Sequence, residues 1–283
     1  MSKRREVETH LHTLAEIRAI MAAMKNLSYM ETRKLARFID AQRRAVATIE
    51  RAAADFLQGY PDLAPGPMGE GTVLLLLVGS ERGFCGDYNE RLLAHLETHC
   101  RTMACRPRLL VVGAKLAERL EDDERVLQAL PGAEVAEEVP KCLQQVIEAL
   151  DEWEGRLGPV RVTALYHRVR ALETTPLLPP FQDLPPPPPE IQGAPFLYLE
   201  PQDFLAELTD HYLFAVLHSL FYSALLAEHQ RRIQHLEGAL QRLDDECGRL
   251  RIRRDALRQE EITEEIEQIL LSAQAMGEET ADT

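Results

Sequence analysis

Residues 233–257, IQHLEGALQRLDDECGRLRIRRDAL, repeat an apolar side chain at alternating steps of three and four residues. This heptad spacing predicts a helix with one narrow apolar stripe, as in a coiled coil. The stripe consists of Ile233, Leu236, Leu240, Leu243, Cys247 and Leu250, and it continues through Arg254 to Leu257. The pattern restarts one position later, at Ile262, Ile266, Ile269, Ala273 and Met276. Because this slip rotates the stripe around the helix, we expect the end of the helix to leave a two-stranded seam and contact something else.

The N-terminal 58 residues predict a second long helix. They contain no proline, and apolar residues recur mostly at steps of three and four. These residues are Val7, Leu11, Leu14, Ile17, Met21, Met24, Leu27, Leu35, Phe38, Val46, Ile49 and Phe56. At 1.5 Å per residue, such a helix would reach about 80 Å.

The charges of the two ends favour their pairing. Residues 1–51 carry 11 Lys/Arg and 6 Asp/Glu, whereas residues 203–283 carry 8 and 17, so the balances are +5 and −9. Opposite charge and one apolar stripe on each helix favour a coiled coil, and the alternative is two separate helices packed on a globular body. We therefore expect coiled-coil helices at 1–58 and 202–277 and an α/β domain at 70–200.

The middle of the chain alternates strands and helices. Short apolar runs predict strands at 71–79, 109–113 and 160–166. Helical patterns lie between or beside them, at about 87–103, 114–130 and 141–156. This alternation predicts a small, mainly parallel α/β sheet. Residues 176–201 hold ten of the 17 prolines and predict an extended, proline-rich segment.

Composition excludes several protein classes. The net charge of −14 argues against a nucleic-acid binder, which needs a dominant basic face. No apolar stretch of about 18 residues predicts a membrane span. The charged start, MSKRREVETH, argues against an export signal. Five scattered cysteines indicate a reducing cytoplasm rather than a disulfide scaffold.

The loop at residues 79–86, GSERGFCG, is the first candidate for chemistry. A glycine-rich turn between strand and helix can hold a phosphate through backbone N–H groups. The loop matches neither common phosphate motif, however, and Glu81 would repel an anion. Cys85 could serve as a nucleophile, but no local signature pairs it with a base. The other reading is a tight turn whose glycines let a helix pack closely on the sheet.

A second candidate is a group of possible metal ligands, His95, His99, Cys100 and Cys105. The two histidines share a helix face, so a zinc site is conceivable. Their spacing matches no common zinc motif, which favours solvated histidines and packed cysteines, and metal binding here stays open. We predict no catalytic residue, no cofactor and no metal site in this chain.

Four short motifs run through the chain in a recognisable order. The first is Ile17-x-x-Ile20-x-x-x-Met24-x-x-Leu27. The second and third are Ser80-x-x-Gly83-x-Cys85-Gly86-x-x-Asn89 and Ser223-x₄-Glu228-His229-x-x-Arg232. The fourth is Arg258-Gln259-x-x-Ile262-Thr263-x-Glu265-Ile266. With these motifs, the chain resembles the gamma subunit of F-type ATP synthases.

The resemblance implies a fold, a function and partners. In the family, the terminal helices form an antiparallel coiled coil, the rotor shaft, inside a ring of alpha and beta subunits. The α/β domain lies at the base, near the epsilon subunit and the membrane c-ring. The subunit has no active site and transmits torque between ion flow and ATP chemistry, as a peripheral subunit on the cytoplasmic face of the inner membrane. By resemblance, Arg258, Gln259, Thr263 and Glu265 contact beta-subunit loops, with Met24 opposite them on the N-terminal helix.

Departures from the family pattern mark a divergent member. Ser28-Tyr29-Met30-Glu31 replaces small residues and lysine, Asp255 replaces a common asparagine, and the proline block is foreign. Two other functions stay open at this stage: a coiled-coil adaptor outside any ATPase, and an enzyme with a phosphate or thiol site at residues 79–86. The sequence leaves open proton or sodium coupling, ATP synthesis or hydrolysis, and the role of the proline block.

Overall fold

The computed structural model describes residues 3–64, 71–103, 105–182, 184 and 196–279. Long helices at both ends and a small mixed sheet between them confirm the predicted fold class. The elements are α1 Lys3–Gly59, β1 Thr72–Val78, α2 Tyr88–Arg101, β2 Arg108–Val112, α3 Ala114–Ala117, β3 Val126–Leu130, α4 Val139–Leu157, β4 Val160–Arg168, β5 Ala171–Leu178 and α5 Pro201–Glu279. The proline block at 185–189 lies outside the described residues.

The chain divides into two compact units. The coil unit comprises Met1–Asn26 and Gln234–Thr283, and the sheet unit comprises Leu27–Ile233. Among the helices of the described residues, none has a stretch that is both long and apolar enough to cross a bilayer.

The sheet unit is built on five strands in the order β3-β2-β1-β4-β5. The first four are parallel to their neighbours, and β5 runs antiparallel to β4. In this register Leu76, at the middle of β1, pairs with Leu110 on one side and Ala164 on the other. The sheet is therefore mainly parallel, as the sequence predicts.

Both faces of β1 are buried, which explains its unbroken apolar run. Leu74, Leu76 and Val78 face a core that α1, α4 and α5 complete, whereas Leu75 and Leu77 face α2. The four leucines at 74–77 are fully buried. Replacing any one of them with alanine would cost about 2–5 kcal/mol of folding free energy.

The sequence prediction of the sheet differs from the structure at two strands: β3 was predicted as part of a helix, and β5 was not predicted. The helix expected over 114–130 is only a short turn, and residues 126–130 form β3 instead. The apolar residues of β3 complete the sheet beside β2, and this non-local pairing overrides the helical pattern. The sequence also gave no signal for β5, which carries Pro176 within it. A proline fits there because β5 is an edge strand with no further ladder to complete.

In the coil unit, the apolar residues of α1 divide between two faces rather than forming one stripe. Val7 and Met21 are buried, whereas Ile17 and Ile20 are 42% and 61% exposed. A heptad through Val7 and Met21 allows either position 17 or position 18 at the seam, and Ile17 and Arg18 are both exposed. The prediction of one stripe through Ile17 was therefore wrong.

Candidate functional site

The seam of the coil unit follows the heptad in α5. Leu236 is fully buried and Leu240 nearly so, and both pack against Met21. Beyond them, Cys247 is buried and Leu243, Leu250 and Leu257 are half-buried. The residues between these positions are mostly exposed. The predicted heptad stripe of α5 is therefore the face that α5 turns toward α1 in the coil.

Ion pairs across the coil unit show its direction and register. In its described part, the pairs are Arg4 Nε to Glu261 Oε2 at 2.7 Å, Arg18 Nε to Asp244 Oδ1 at 2.6 Å and Lys25 Nζ to Glu237 Oε1 at 3.7 Å. Residue numbers rise along α1 as they fall along α5, so the helices are antiparallel. Each cation comes from α1 and each anion from α5, as the opposite charges of the two ends predict. Exposed pairs add little stability, so their contribution is to the choice of partner and register.

Past Leu257 the apolar stripe of α5 leaves the seam. Ile262, Ile266, Ile269 and Leu270 are 45%, 52%, 66% and 59% exposed. Glu261, four residues after Leu257, takes the next heptad position and pairs with Arg4. Because Arg4 pairs with Glu261 and the described part of α1 begins at Lys3, the later residues of the stripe lie beyond the described α1, and such an exposed apolar stripe is typical of an interface.

The predicted contact residues lie at two levels of the coil unit. Arg258, Gln259, Thr263 and Glu265 are all exposed on this last part of α5. The Thr263 hydroxyl donates to the Gln259 carbonyl oxygen at 2.9 Å, a bond within the helix that does not involve the Gln259 side chain. Among the described residues, no carboxylate lies within 4.0 Å of the Arg258 guanidinium.

Met24 is not opposite Arg258. It is half-buried and packs in the cluster of Met21, Leu236 and Leu240, about 20 residues away along α5. At 1.5 Å per residue this corresponds to roughly 30 Å along the coil. The structure therefore separates Met24 from the other four predicted contact residues.

In the sheet unit, the second and third sequence motifs meet. The buried carboxylate of Glu228 and the buried guanidinium of Arg232 form an ion pair one helical turn apart on α5. Arg232 Nε donates to the Gly83 carbonyl oxygen at 3.2 Å, and its Nη2 donates to the Arg82 carbonyl oxygen at 3.4 Å. We call this group, Glu228, Arg232 and the backbone of 81–83, the clamp. It ties α5 to the loop that follows β1.

Burial dominates the electrostatics of the clamp. Desolvation raises the pKa of Glu228, and the charge of Arg232 and the backbone N–H groups of Arg82 and Glu81 oppose that rise. His229 Nε2 donates to the Glu134 carbonyl oxygen at 3.2 Å, while its Nδ1 accepts from Arg232 at 3.2 Å. Burial lowers the pKa of His229 to about 4, so the ring is neutral at pH 7. Arg232 therefore carries the positive charge that faces Glu228.

The same geometry removes the support for a phosphate or thiol site at residues 79–86. The Ser80 N–H donates to Asn89 Oδ1, and the Glu81 carboxylate accepts the N–H groups of Ala114 and Gly132 at 2.8 and 2.6 Å. Burial, reinforced by the Glu228 charge, raises the pKa of the Cys85 thiol to about 12, the opposite of an activated nucleophile. The groups of this loop therefore already bond to other parts of the protein.

Glycine at position 79 serves close packing. A Cβ atom there would lie 2.4 Å from Cβ of Leu116. Only glycine lets the end of β1 approach α3 this closely. The contacts of the loop therefore support the structural interpretation, in which it is a tight turn that permits close packing.

Two of the four possible metal ligands, His95 and Cys100, have other partners. His95 Nε2 lies 2.9 Å from the Thr174 hydroxyl, and the Cys100 sulfur lies 3.9 Å from Arg125 Nη1. Desolvation is the main cause that lowers the pKa of His99. Within the described ranges, no group of three or more His, Cys, Asp or Glu side chains is arranged to hold a metal ion.

Comparisons with known proteins agree with this geometry. The family model described as "ATP synthase" matches residues 3–276. No curated protein matches the chain by sequence. One solved chain from Euglena gracilis mitochondrial ATP synthase, in a structure of OSCP, F1 and c-ring in rotational state 3, is 15% identical with a TM-score of 0.62, covering 96% of this chain and 94% of that chain.

Two further solved chains are similar in fold. One, from the central stalk and c-ring of Tetrahymena thermophila mitochondrial ATP synthase, is 14% identical with a TM-score of 0.58, covering 78% of this chain and 99% of that one. Another, from the rotor of the Euglena gracilis enzyme in rotational state 1, is 14% identical with a TM-score of 0.58, covering 92% and 98%. Because the family model spans nearly the whole sequence, this chain belongs to the gamma-subunit family of F-type ATP synthases, whose members are non-catalytic rotor subunits.

Proposed function

We propose that this chain is the central-stalk rotor of an F-type ATPase and that it couples ion flow through the membrane sector to ATP synthesis or hydrolysis in an alpha/beta hexamer. The observation that carries the proposal is the apolar stripe of α5 past Leu257, which is exposed where α5 continues beyond the described start of α1. A shaft that ends inside a ring of subunits needs such a stripe, since it must contact the ring as well as hold its own partner helix.

The residues of the chain supply mechanics rather than chemistry. In the coil unit, the seam and its cross-helix ion pairs keep two helices in one register, as a shaft under torque requires. In the sheet unit, the clamp fastens α5 to the β1 loop, so force on the helix is passed to the sheet. Torque can then act without any reacting group in this subunit.

The partners follow from the family and from the assemblies in which similar chains occur. The matched solved chains belong to ATP synthase structures whose titles name F1, the central stalk, the rotor and the c-ring. We infer alpha and beta subunits around the coil, an epsilon subunit and the c-ring at the sheet domain, and no nucleic acid. We infer that the complex lies on the cytoplasmic face of the inner membrane, with this chain as a peripheral subunit.

The contacts with beta subunits are assigned to the exposed polar residues beside the apolar stripe, Arg258, Gln259, Thr263 and Glu265. The guanidinium of Arg258 can donate a planar fork to a carboxylate or carbonyl of a beta-subunit loop. Met24 is retained as a contact at a different level, since part of its side chain is exposed.

Co-purification tests the proposed function. A tagged copy of the full chain, expressed in its native cell, should retrieve alpha and beta subunits in a complex that hydrolyses ATP. A coiled-coil adaptor outside an ATPase would retrieve other proteins. Failure to recover either ATPase subunit under conditions that preserve other assemblies would count against the rotor.

A further inference from the structure

A basic cleft lies in the sheet unit, where α1 passes the hairpin of β4 and β5. Its volume is about 370 Å³, within the size range of small-ligand sites. Its lining residues are Arg43, Arg168, Val169, Arg170, Ala171 and Glu173. Three of these six side chains are guanidiniums, although the chain as a whole has a net charge of −14.

Among the described residues, one carboxylate lines the cleft, and it is already occupied. Glu173 Oε1 accepts from Arg168 Nη1 at 2.7 Å, and its Oε2 accepts from the Tyr166 hydroxyl at 3.1 Å. Arg43 and Arg170 are exposed, and neither has a carboxylate within 4.0 Å among the residues that the structure describes. The cleft therefore presents two unpaired guanidiniums beside a third that is only partly neutralised.

The backbone holds these arginines in fixed places. Arg168 pairs with Ala171 in the β4–β5 ladder, so Val169 and Arg170 form a tight two-residue turn. Arg43 lies one helical turn before Val46, which packs on the main core of the sheet unit. Both walls of the cleft are therefore anchored to the core, and only the side chains beyond Cβ need to be ordered by a ligand.

We propose that this cleft binds a phosphate-class oxyanion. A guanidinium fork matches two oxygens of such an anion, and a phosphate offers enough oxygens to accept forks from Arg43 and Arg170 together. A single carboxylate has fewer oxygens and only one negative charge, so it matches two guanidiniums less well than a phosphate does. No aromatic side chain lines the cleft, so it has no platform for a nucleobase, and recognition rests on the phosphate. The phosphate can belong to a free anion or to a lipid headgroup.

Equilibrium dialysis of the full chain tests the proposal with radiolabelled inorganic phosphate and pyrophosphate at constant ionic strength. Flotation with phosphatidylcholine vesicles, with or without phosphatidic acid, tests the lipid source. The variant Arg43→Ala/Arg170→Ala should bind roughly tenfold or more weakly, because two charge-assisted hydrogen-bonding groups are lost. The matched control is Arg44→Ala/Arg161→Ala, which removes one exposed arginine of α1 and one of β4, both outside the cleft.

The outcomes separate cleanly. If the chain binds either free anion saturably and only the cleft variant loses this binding, the ligand is a free phosphate and the proposal is supported. If the chain binds only the vesicles with phosphatidic acid, and again only the cleft variant loses binding, the ligand is a lipid phosphate and the proposal is also supported. Equal loss in both variants, or no saturable binding by any probe, overturns it. If only the cleft variant loses a subunit from the assembled complex and no phosphate binds, the cleft is a protein contact and the proposal is wrong. Arg43→Gln/Arg170→Gln repeats the test should the alanine variant lose helical circular dichroism.

Discussion

The clamp gives the sharpest prediction, because Arg232→Met removes one partner of a buried ion pair and keeps much of the side-chain volume. Glu228 would then be buried without its counter-charge, and the Gly83 and Arg82 carbonyl oxygens would lose their donor. Breaking a buried pair in this way costs about 3–5 kcal/mol. We expect that loss to fall on the loop at 79–86 and on the contact of α5 with it.

Hydrogen exchange on the assembled complex measures this loss locally. A cost of about 3–5 kcal/mol raises exchange through local opening by roughly two to four orders of magnitude. The Ser80 and Gly132 amides are suitable reporters, since each donates to a side chain of this region. The effect should grow as pH rises, because Glu228 without Arg232 folds more readily in its protonated form.

A second variant and a control decide whether the buried charge is the cause. Glu228→Leu/Arg232→Met removes both charges and should recover part of the protection, since no unpaired charge is left. Arg242→Met, at an exposed position of the same helix, should leave the reporter amides unchanged. Unchanged exchange in Arg232→Met, or a double variant as damaged as the single one, would refute this reading of the clamp.

Three further predictions concern pH, the seam and the contact residues. The fold lowers the pKa of His229 from its ordinary value of 6.5 to about 4, so its stabilising effect is complete above pH 6.5 and is lost on acidification toward pH 4. The loss is about 3 kcal/mol of folding free energy. In His229→Gln, the protection of the loop amides against exchange should therefore depend less on pH. Leu236→Ala leaves a cavity at a fully buried seam position and should cost about 2–5 kcal/mol, measured as faster exchange in 234–257 while the sheet keeps its protection. Arg258→Ala with Gln259→Ala should leave folding and assembly intact but slow ATP turnover and ion pumping roughly tenfold or more.

Matched controls sharpen the last two predictions. Ile252→Ala trims an apolar side chain that is 74% exposed, so it should leave exchange in the coil unchanged. Gln241→Ala with Arg242→Ala removes a similar exposed pair within the heptad region and should leave turnover near normal. An equal loss of turnover in both pairs would show a general effect on the helix and not a contact at Arg258.

Local pattern predicted the seam of α5 well, the stripe of α1 less well, and the contacts of the clamp not at all. The heptad of α5 is a property of consecutive residues, so its buried positions from Leu236 to Leu257 could be read from spacing. The clamp joins Arg232 to Gly83, 149 residues apart. Only the i, i+4 spacing of Glu228 and Arg232 pointed to a pair, and that spacing is common on solvated helices. The burial that gives the pair its importance comes from the tertiary packing of α5 on the β1 loop.

Rotation of this chain inside its complex tests the central claim most directly. Cys105 is exposed, Cys100 is half-buried, and Cys85, Cys142 and Cys247 are buried, so a thiol-reactive optical probe can be placed on Cys105 of a Cys100→Ser variant with the hexamer fixed to a surface. The rotor account predicts that ATP drives the probe stepwise in one direction, with one step for each beta subunit. A probe that stays stationary relative to the hexamer while the same complexes hydrolyse ATP would contradict it.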